Sequence, residues 1–211
     1  MKLISEICPL GGNMKKLSVV ALLFAATLTS SCITTRPAMQ EVTLPPQRIA
    51  QNGYSLVPLD ETGWLLGYRD SEQLILGKRG SDPDENIVVR AFAKVIPPLK
   101  SDEEFLGFAK SVLIMEGATR HKVLSQQTKL VKVKSQSCAR VDTVMEDHDA
   151  VKRSSKTDSM ILEAFSLLCK HPNGSTGILI AYSHRFYQGN RDAESSKKAQ
   201  RIFDSVEFSN L

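Results

Sequence analysis

Three stretches decide the fold of this chain: Cys138–Glu146 (CARVDTVME), Met160–Cys169 (MILEAFSLLC) and Gly177–Phe186 (GILIAYSHRF). Each is eight to ten residues long, rich in β-branched, aromatic and aliphatic side chains, and bounded by turn formers, which is the signature of strands. The last two are joined by His171–Thr176, in which Asn173-Gly174 is a hairpin dipeptide. Placing Cys138 opposite Cys169 tests the antiparallel pairing of the first two. Arg140 then faces Leu167, Asp142 faces Phe165, Val144 faces Glu163 and Glu146 faces Ile161. On the other face Ala139 meets Leu168, Val141 meets Ser166, Thr143 meets Ala164 and Met145 meets Leu162. Small and apolar residues collect on that second face, so the register is plausible independently of the cysteines.

Upstream, Tyr54–Leu59 and Gly63–Tyr68 are short apolar pieces, and Gln73–Lys78 and Ile87–Val95 are expected strands joined by the turn-rich Gly80–Asn86. Ile87, Val89, Ala91, Ala93 and Val95 give the last strand one apolar face. Pro97-Pro98 ends it. Ser101-Asp102-Glu103-Glu104 then matches a capping box, which accounts for the adjacent glutamates without any catalytic role. Phe105, Phe108, Ala109, Val112 and Leu113 follow at helical spacing, and Gly117 suits the position after the helix. Gly107 weakens this helix by about 1 kcal/mol, and its small size would allow a close approach to the sheet. Val123-Leu124 and Leu130–Val133 read as two peripheral strand pieces, and a closing helix spans Arg191–Val206 with Ala199, Ile202, Phe203 and Val206 inward. Strands, a helix, more strands and a final helix make an α+β fold, mostly antiparallel sheet with helices packed on it.

The first 31 residues have a different character. Lys15-Lys16, the apolar run Leu17–Leu28 and Thr29-Ser30-Ser31 before Cys32 form a secretory signal, with Met14 the expected start. The apolar run is too short to span a bilayer, which takes about 20 residues. A cysteine directly after the small residues resembles the lipobox of bacterial lipoproteins, although Thr29 stands where leucine is usual. The resemblance implies cleavage before Cys32 and its lipidation, with palmitate among the acyl chains. The protein would then be held in the cell envelope, facing the periplasm. Ile33 follows in place of the aspartate that marks inner-membrane retention, so the outer membrane is expected. Residues 32–48, with Pro37, Pro45 and Pro46, read as the lipidated cysteine and a flexible tether, and 49–211 as one domain.

Removing residues 1–31 takes three lysines and one glutamate, so the net charge of +4 falls to +2. Near-neutrality and export argue against nucleic acid as a partner. With Cys8 and Cys32 outside the domain, Cys138 and Cys169 are the only cysteines inside it, in a compartment where disulfides persist. A zinc site from Cys138, His148, Cys169 and His171 is the competing assignment. It is disfavoured because the register puts His148 at the far end of the hairpin from the sulfurs. Glu146-Asp147-His148-Asp149 reads as a solvated hairpin tip, since it lacks the oxygen pattern of a calcium loop.

Gly63-Trp64, the helix opening at Ser101 and the ending Ile202–Phe208 (IFDSVEF) resemble the PsbP-like superfamily, which includes small bacterial envelope lipoproteins of the DcrB type. The resemblance covers Tyr54–Phe208. It implies a layered sandwich and an accessory or assembly role, and it carries over no catalytic residue. No P-loop, G-x-G-x-x-G, G-x-S-x-G or HExxH pattern is present. The expectation is a non-catalytic envelope lipoprotein without cofactor or metal, joined to the membrane by its lipid and binding another envelope protein. Its interaction patch is expected at Trp64, Tyr68 and Arg69. A solute-binding accessory with a pocket under Gly63–Tyr68 and a periplasmic hydrolase are the alternatives.

Overall fold

The structure is a computed structural model that describes residues 39–113 and 120–210. Among these, strands and helices run in the order β1 (Gln40–Glu41), β2 (Ile49–Gln51), β3 (Tyr54–Leu56), β4 (Leu65–Arg69), β5 (Gln73–Arg79), β6 (Asn86–Val95), α1 (Asp102–Leu113), β7 (His121–Val133), β8 (Gln136–Asp147), β9 (Met160–Lys170), β10 (Thr176–Tyr187), α2 (Ser195–Asp204) and β11 (Glu207–Phe208). Eight strands form one sheet in the order β1-β4-β5-β6-β10-β9-β8-β7, and β11-β3-β2 form a second, small one. Every pairing is antiparallel.

The β8–β9 register is the expected one, from Cys138↔Cys169 through Glu146↔Ile161. Alternation along these strands sends neighbours to opposite faces, and each face has its own core. Cys138, Leu167, Cys169, Ile178 and Ile180 pack with Ala199, Ile202 and Phe203 of α2 and with Tyr54 and Leu56 of the small sheet. Ala139, Leu168 and Leu179 pack on the other side with Phe105 and Ala109 of α1. The small apolar face read from the sequence is therefore the seat of α1.

Helix α1 begins as a capping box. The Glu104 amide donates to Ser101 Oγ at 3.2 Å, while the Glu104 carboxylate accepts from the Lys100 amide at 2.7 Å, one residue earlier than the usual partner. Gly107 does not serve close packing: it is exposed, and a Cβ there would meet no atom within 4 Å. The close approach occurs at Gly177 in β10, where a Cβ would lie 2.8 Å from Ile96 Cγ2 and 2.9 Å from Leu168 Cδ1.

Three expectations about the elements change. Gln40–Glu41 lie in the stretch read as tether, yet they pair with Leu66 and Leu65 of β4, and the Val42 amide donates to the Trp64 carbonyl. The chain thus enters the fold ahead of Ile49. The two peripheral pieces are one strand, β7, with an irregularity between Val123 and Ser125, and it turns into β8 through Lys134 and Ser135, both at positive φ. The closing helix is confined to Ser195–Asp204, although Ala199, Ile202, Phe203 and Val206 are buried as expected.

Candidate functional site

The sequence-derived site residues separate. Cys138 and Cys169 bring their sulfurs to disulfide distance, 2.10 Å, inside the core. Trp64 is 1% exposed and belongs to that core, so it presents no surface to a partner. Its place in the interaction patch is corrected accordingly: Trp64, just ahead of β4, belongs to the core that also contains Tyr54 and Leu56 of the small sheet and Ile202 and Phe203 of α2. Tyr68 is 48% exposed and its hydroxyl donates to Asp70 at 2.7 Å. Arg69 is exposed but occupied, donating to the Ala50 carbonyl at 3.0 Å and so lacing β4 to β2. Cys32 lies outside the described residues.

The competing zinc assignment does not hold, because His148 and His171 are bonded elsewhere while Cys138 and Cys169 pair with each other. His171 is buried, its Nε2 3.1 Å from the Gly53 carbonyl and 2.9 Å from that of Ser209, while its Nδ1 accepts from the Asn173 amide. Nε2 therefore fastens the β9–β10 turn to the β2–β3 turn and to the segment after β11, while Nδ1 braces the β9–β10 turn internally. His148 pairs with Ser159 near the other end of the hairpin. Among the described residues no three His, Cys, Asp or Glu groups are placed to hold a metal ion.

The acidic stretch 146–149 is not simply a solvated tip. Asp147 is fully buried, because Arg120 grips its carboxylate with two bonds of 2.9 and 3.1 Å and Arg185 Nε lies 2.9 Å away. Burial by itself raises the Asp147 pKa, but the Arg120 bonds and both guanidinium charges outweigh it and hold the carboxyl below its ordinary range.

Around this pair the end of the large sheet collects the ionisable residues that sequence reading missed. In the β5–β6 turn, Glu85 folds over Gly80, whose missing Cβ makes the room: one built there would sit 2.1 Å from Glu85 Cδ. The carboxylate accepts from the Ser81 amide and hydroxyl and from the Asp82 amide. Its other oxygen lies 2.6 Å from Nε2 of the buried His184, whose Nδ1 is 3.4 Å from Ser195 Oγ at the start of α2. Its neighbour Asp84 accepts from the amides of Arg153 and Ser154, from the Ser154 hydroxyl and from Tyr187. The Ser154 hydroxyl bond comes first among the interactions that depress the Asp84 pKa far below the carboxylate range. These bonds clamp the β8–β9 loop onto the β5–β6 turn.

Serine, histidine and glutamate in a row invite comparison with a nucleophile, a base and its orienting acid. The geometry supports a different role. Ser195 is 1% exposed and opens a helix, so its hydroxyl does not face solvent, and the row joins α2, β10 and the β5–β6 turn. Near the expected patch, Leu66, Arg69, Arg48 and Val42 line a cleft of about 190 Å³.

No protein-family model matches the chain, and no curated protein matches it. Among solved structures it is similar to the solution structure of cyanobacterial PsbP (CyanoP) from Synechocystis sp. PCC 6803, at 14% identity and a TM-score of 0.42, covering 86% of this chain and 99% of that one.

Proposed function

We propose that the chain is a lipid-anchored, non-catalytic protein of the cell envelope, on a PsbP-like layered sandwich, that binds another envelope protein at the β1–β4 edge. The observation that carries this reading is a pair of exposed apolar side chains on that edge. Continuing the Gln40↔Leu66 register by one step puts Met39, 65% exposed, opposite Gly67, the residue that precedes Tyr68, itself 48% exposed. Large apolar and aromatic side chains left together in solvent are the usual core of a binding patch.

The layering has α1 on one face of the large sheet and α2 with the small sheet on the other. Seven residues lie between Cys32 and Gln40 in the sequence, a fully extended reach of at most about 29 Å, so an acylated Cys32 would keep the patch near the bilayer, the outer membrane on the Ile33 reading. Solute binding is less well supported, since the neighbouring cleft of about 190 Å³ falls short of the roughly 300 Å³ at which ligand pockets begin.

The test has two parts. Cys32→Ser should release the protein from the membrane fraction or leave it unprocessed; unchanged membrane association overturns the anchor. Tyr68→Asp should abolish co-purification of the partner without lowering thermal stability; a folded Tyr68→Asp protein that keeps its partner overturns the patch.

A further inference from the structure

The β5–β6 turn, the β8–β9 loop and the end of β10 enclose a cleft of about 210 Å³ that brings together Arg79, Arg153 and Arg185 from three separate segments. We infer that this cleft is a binding site for a phosphate group, whether free in solution or carried on a lipid headgroup. Three observations support the assignment.

First, the positive charge there is not consumed internally. The guanidinium groups of Arg79 and Arg153 make no hydrogen bond or ion pair among the described residues. Arg185 shares the single carboxylate of Asp147 with Arg120, which already holds both of its oxygens, so one acid serves two guanidinium ions. Three like charges converging on one cleft repel each other, and an anion between them turns that repulsion into attraction.

Second, the acids lining the cleft offset only part of this charge. Asp84 and Glu85 accept from the backbone amides and hydroxyls of their own turn and of the β8–β9 loop, from Tyr187 and against His184, and neither pairs with the guanidinium group of any of the three arginines. Three arginines against two carboxylates leave the lining at a net +1. The clamp through Asp84 also fixes the loop that carries Arg153, so that side of the cleft is held in place.

Third, size and donor number select the ligand. A volume of about 210 Å³ is below that of pockets for drug-sized molecules. Planar guanidinium groups from three segments match the tetrahedrally arranged oxygens of a phosphate better than the two coplanar oxygens of a carboxylate.

The experiment uses the full chain carrying Cys32→Ser, so that acylation does not drive membrane partitioning. Inorganic phosphate is titrated calorimetrically at low ionic strength, and flotation is measured with phosphatidylglycerol vesicles and with phosphatidylcholine vesicles. Saturable phosphate binding, weakened roughly 10- to 100-fold by Arg153→Gln or Arg79→Gln and unchanged by Lys134→Gln on the far turn, supports the site. Flotation only with phosphatidylglycerol, lost in Arg153→Gln and competed by phosphate, supports it with a headgroup as the source. Phosphate binding without flotation supports it with a soluble source. Absence of both kinds of binding in the folded chain, or equal binding by Arg153→Gln and Arg79→Gln, overturns it.

Discussion

Two glycines should respond to the same substitution with opposite signs. Gly107 lies on the exposed side of α1, where an added Cβ meets nothing within 4 Å. Gly107→Ala therefore gains only the helix-propensity difference, about 1 kcal/mol, which for a domain of this size raises Tm by roughly 2–4 °C. Gly177 sits in the central strand β10, with Ile96 Cγ2 at 2.8 Å and Leu168 Cδ1 at 2.9 Å from the Cβ position. Ile96 and Leu168 are both buried, so neither moves aside freely, and overpacking of this kind costs about 1–3 kcal/mol. Gly177→Ala should accordingly lower Tm by roughly 2–12 °C. Urea melts of the two variants, read for midpoint at constant slope, give both numbers. A destabilised Gly107→Ala would mean that α1 turns its Gly107 face inward. An unchanged or stabilised Gly177→Ala would mean that the sheet does not carry Leu168 against the start of β10. Either result refutes the packing described for the α1 face.

Trp64→Ala should lower Tm on the order of 10 °C, because a fully buried aromatic is removed, whereas Tyr68→Ser should leave it nearly unchanged; a stable Trp64→Ala protein would return Trp64 to the surface. Because the Asp147 pKa is held below its ordinary value, its charge stabilises the fold above the unfolded carboxylate pKa of about 3.9, and that contribution disappears as pH falls through the lowered folded value. Arg120→Gln should therefore move the acid-unfolding midpoint to higher pH, and an unmoved midpoint would show that Arg120 does not hold Asp147. Non-reducing peptide mapping should find Cys138 linked to Cys169; with a sequence separation of 31, reduction should cost roughly 3–4 kcal/mol. Two free thiols after purification without reductant would contradict the linkage.

The β8–β9 register is legible because setting Cys138 opposite Cys169 gathers small and apolar residues on one face, and a one-residue slip would turn every side chain to the wrong face. The capping box marked the start of α1 because its signal is local. Elements without a buried stripe were harder. β7 is an edge strand exposed along most of its length, so its polar middle broke the pattern into two pieces. β1 is two polar residues among prolines, and only its partner β4 makes it a strand. The ionisable cluster was hidden for a different reason. Asp84 and Glu85 sit in a stretch whose composition announces only a turn, and Glu85 meets His184 across 99 residues, a separation that no motif spacing encodes. The sequence makes Asp147 look solvated because its partners are remote along the chain: Arg120 reaches it from the residue before β7 and Arg185 from β10. Trp64 and Tyr68 form one apolar segment in sequence, and the three-dimensional fold alone sends the first inward and leaves the second outside.

The most direct test of the account is site-specific photo-crosslinking of the full, membrane-anchored chain, with a photoreactive residue in place of Tyr68 and, as control, of Lys134 on the β7–β8 turn. The account predicts a discrete adduct with one envelope protein from position 68, none from position 134, and loss of the adduct when Met39→Asp is added. No adduct from position 68, or the same adducts from both positions, would contradict it.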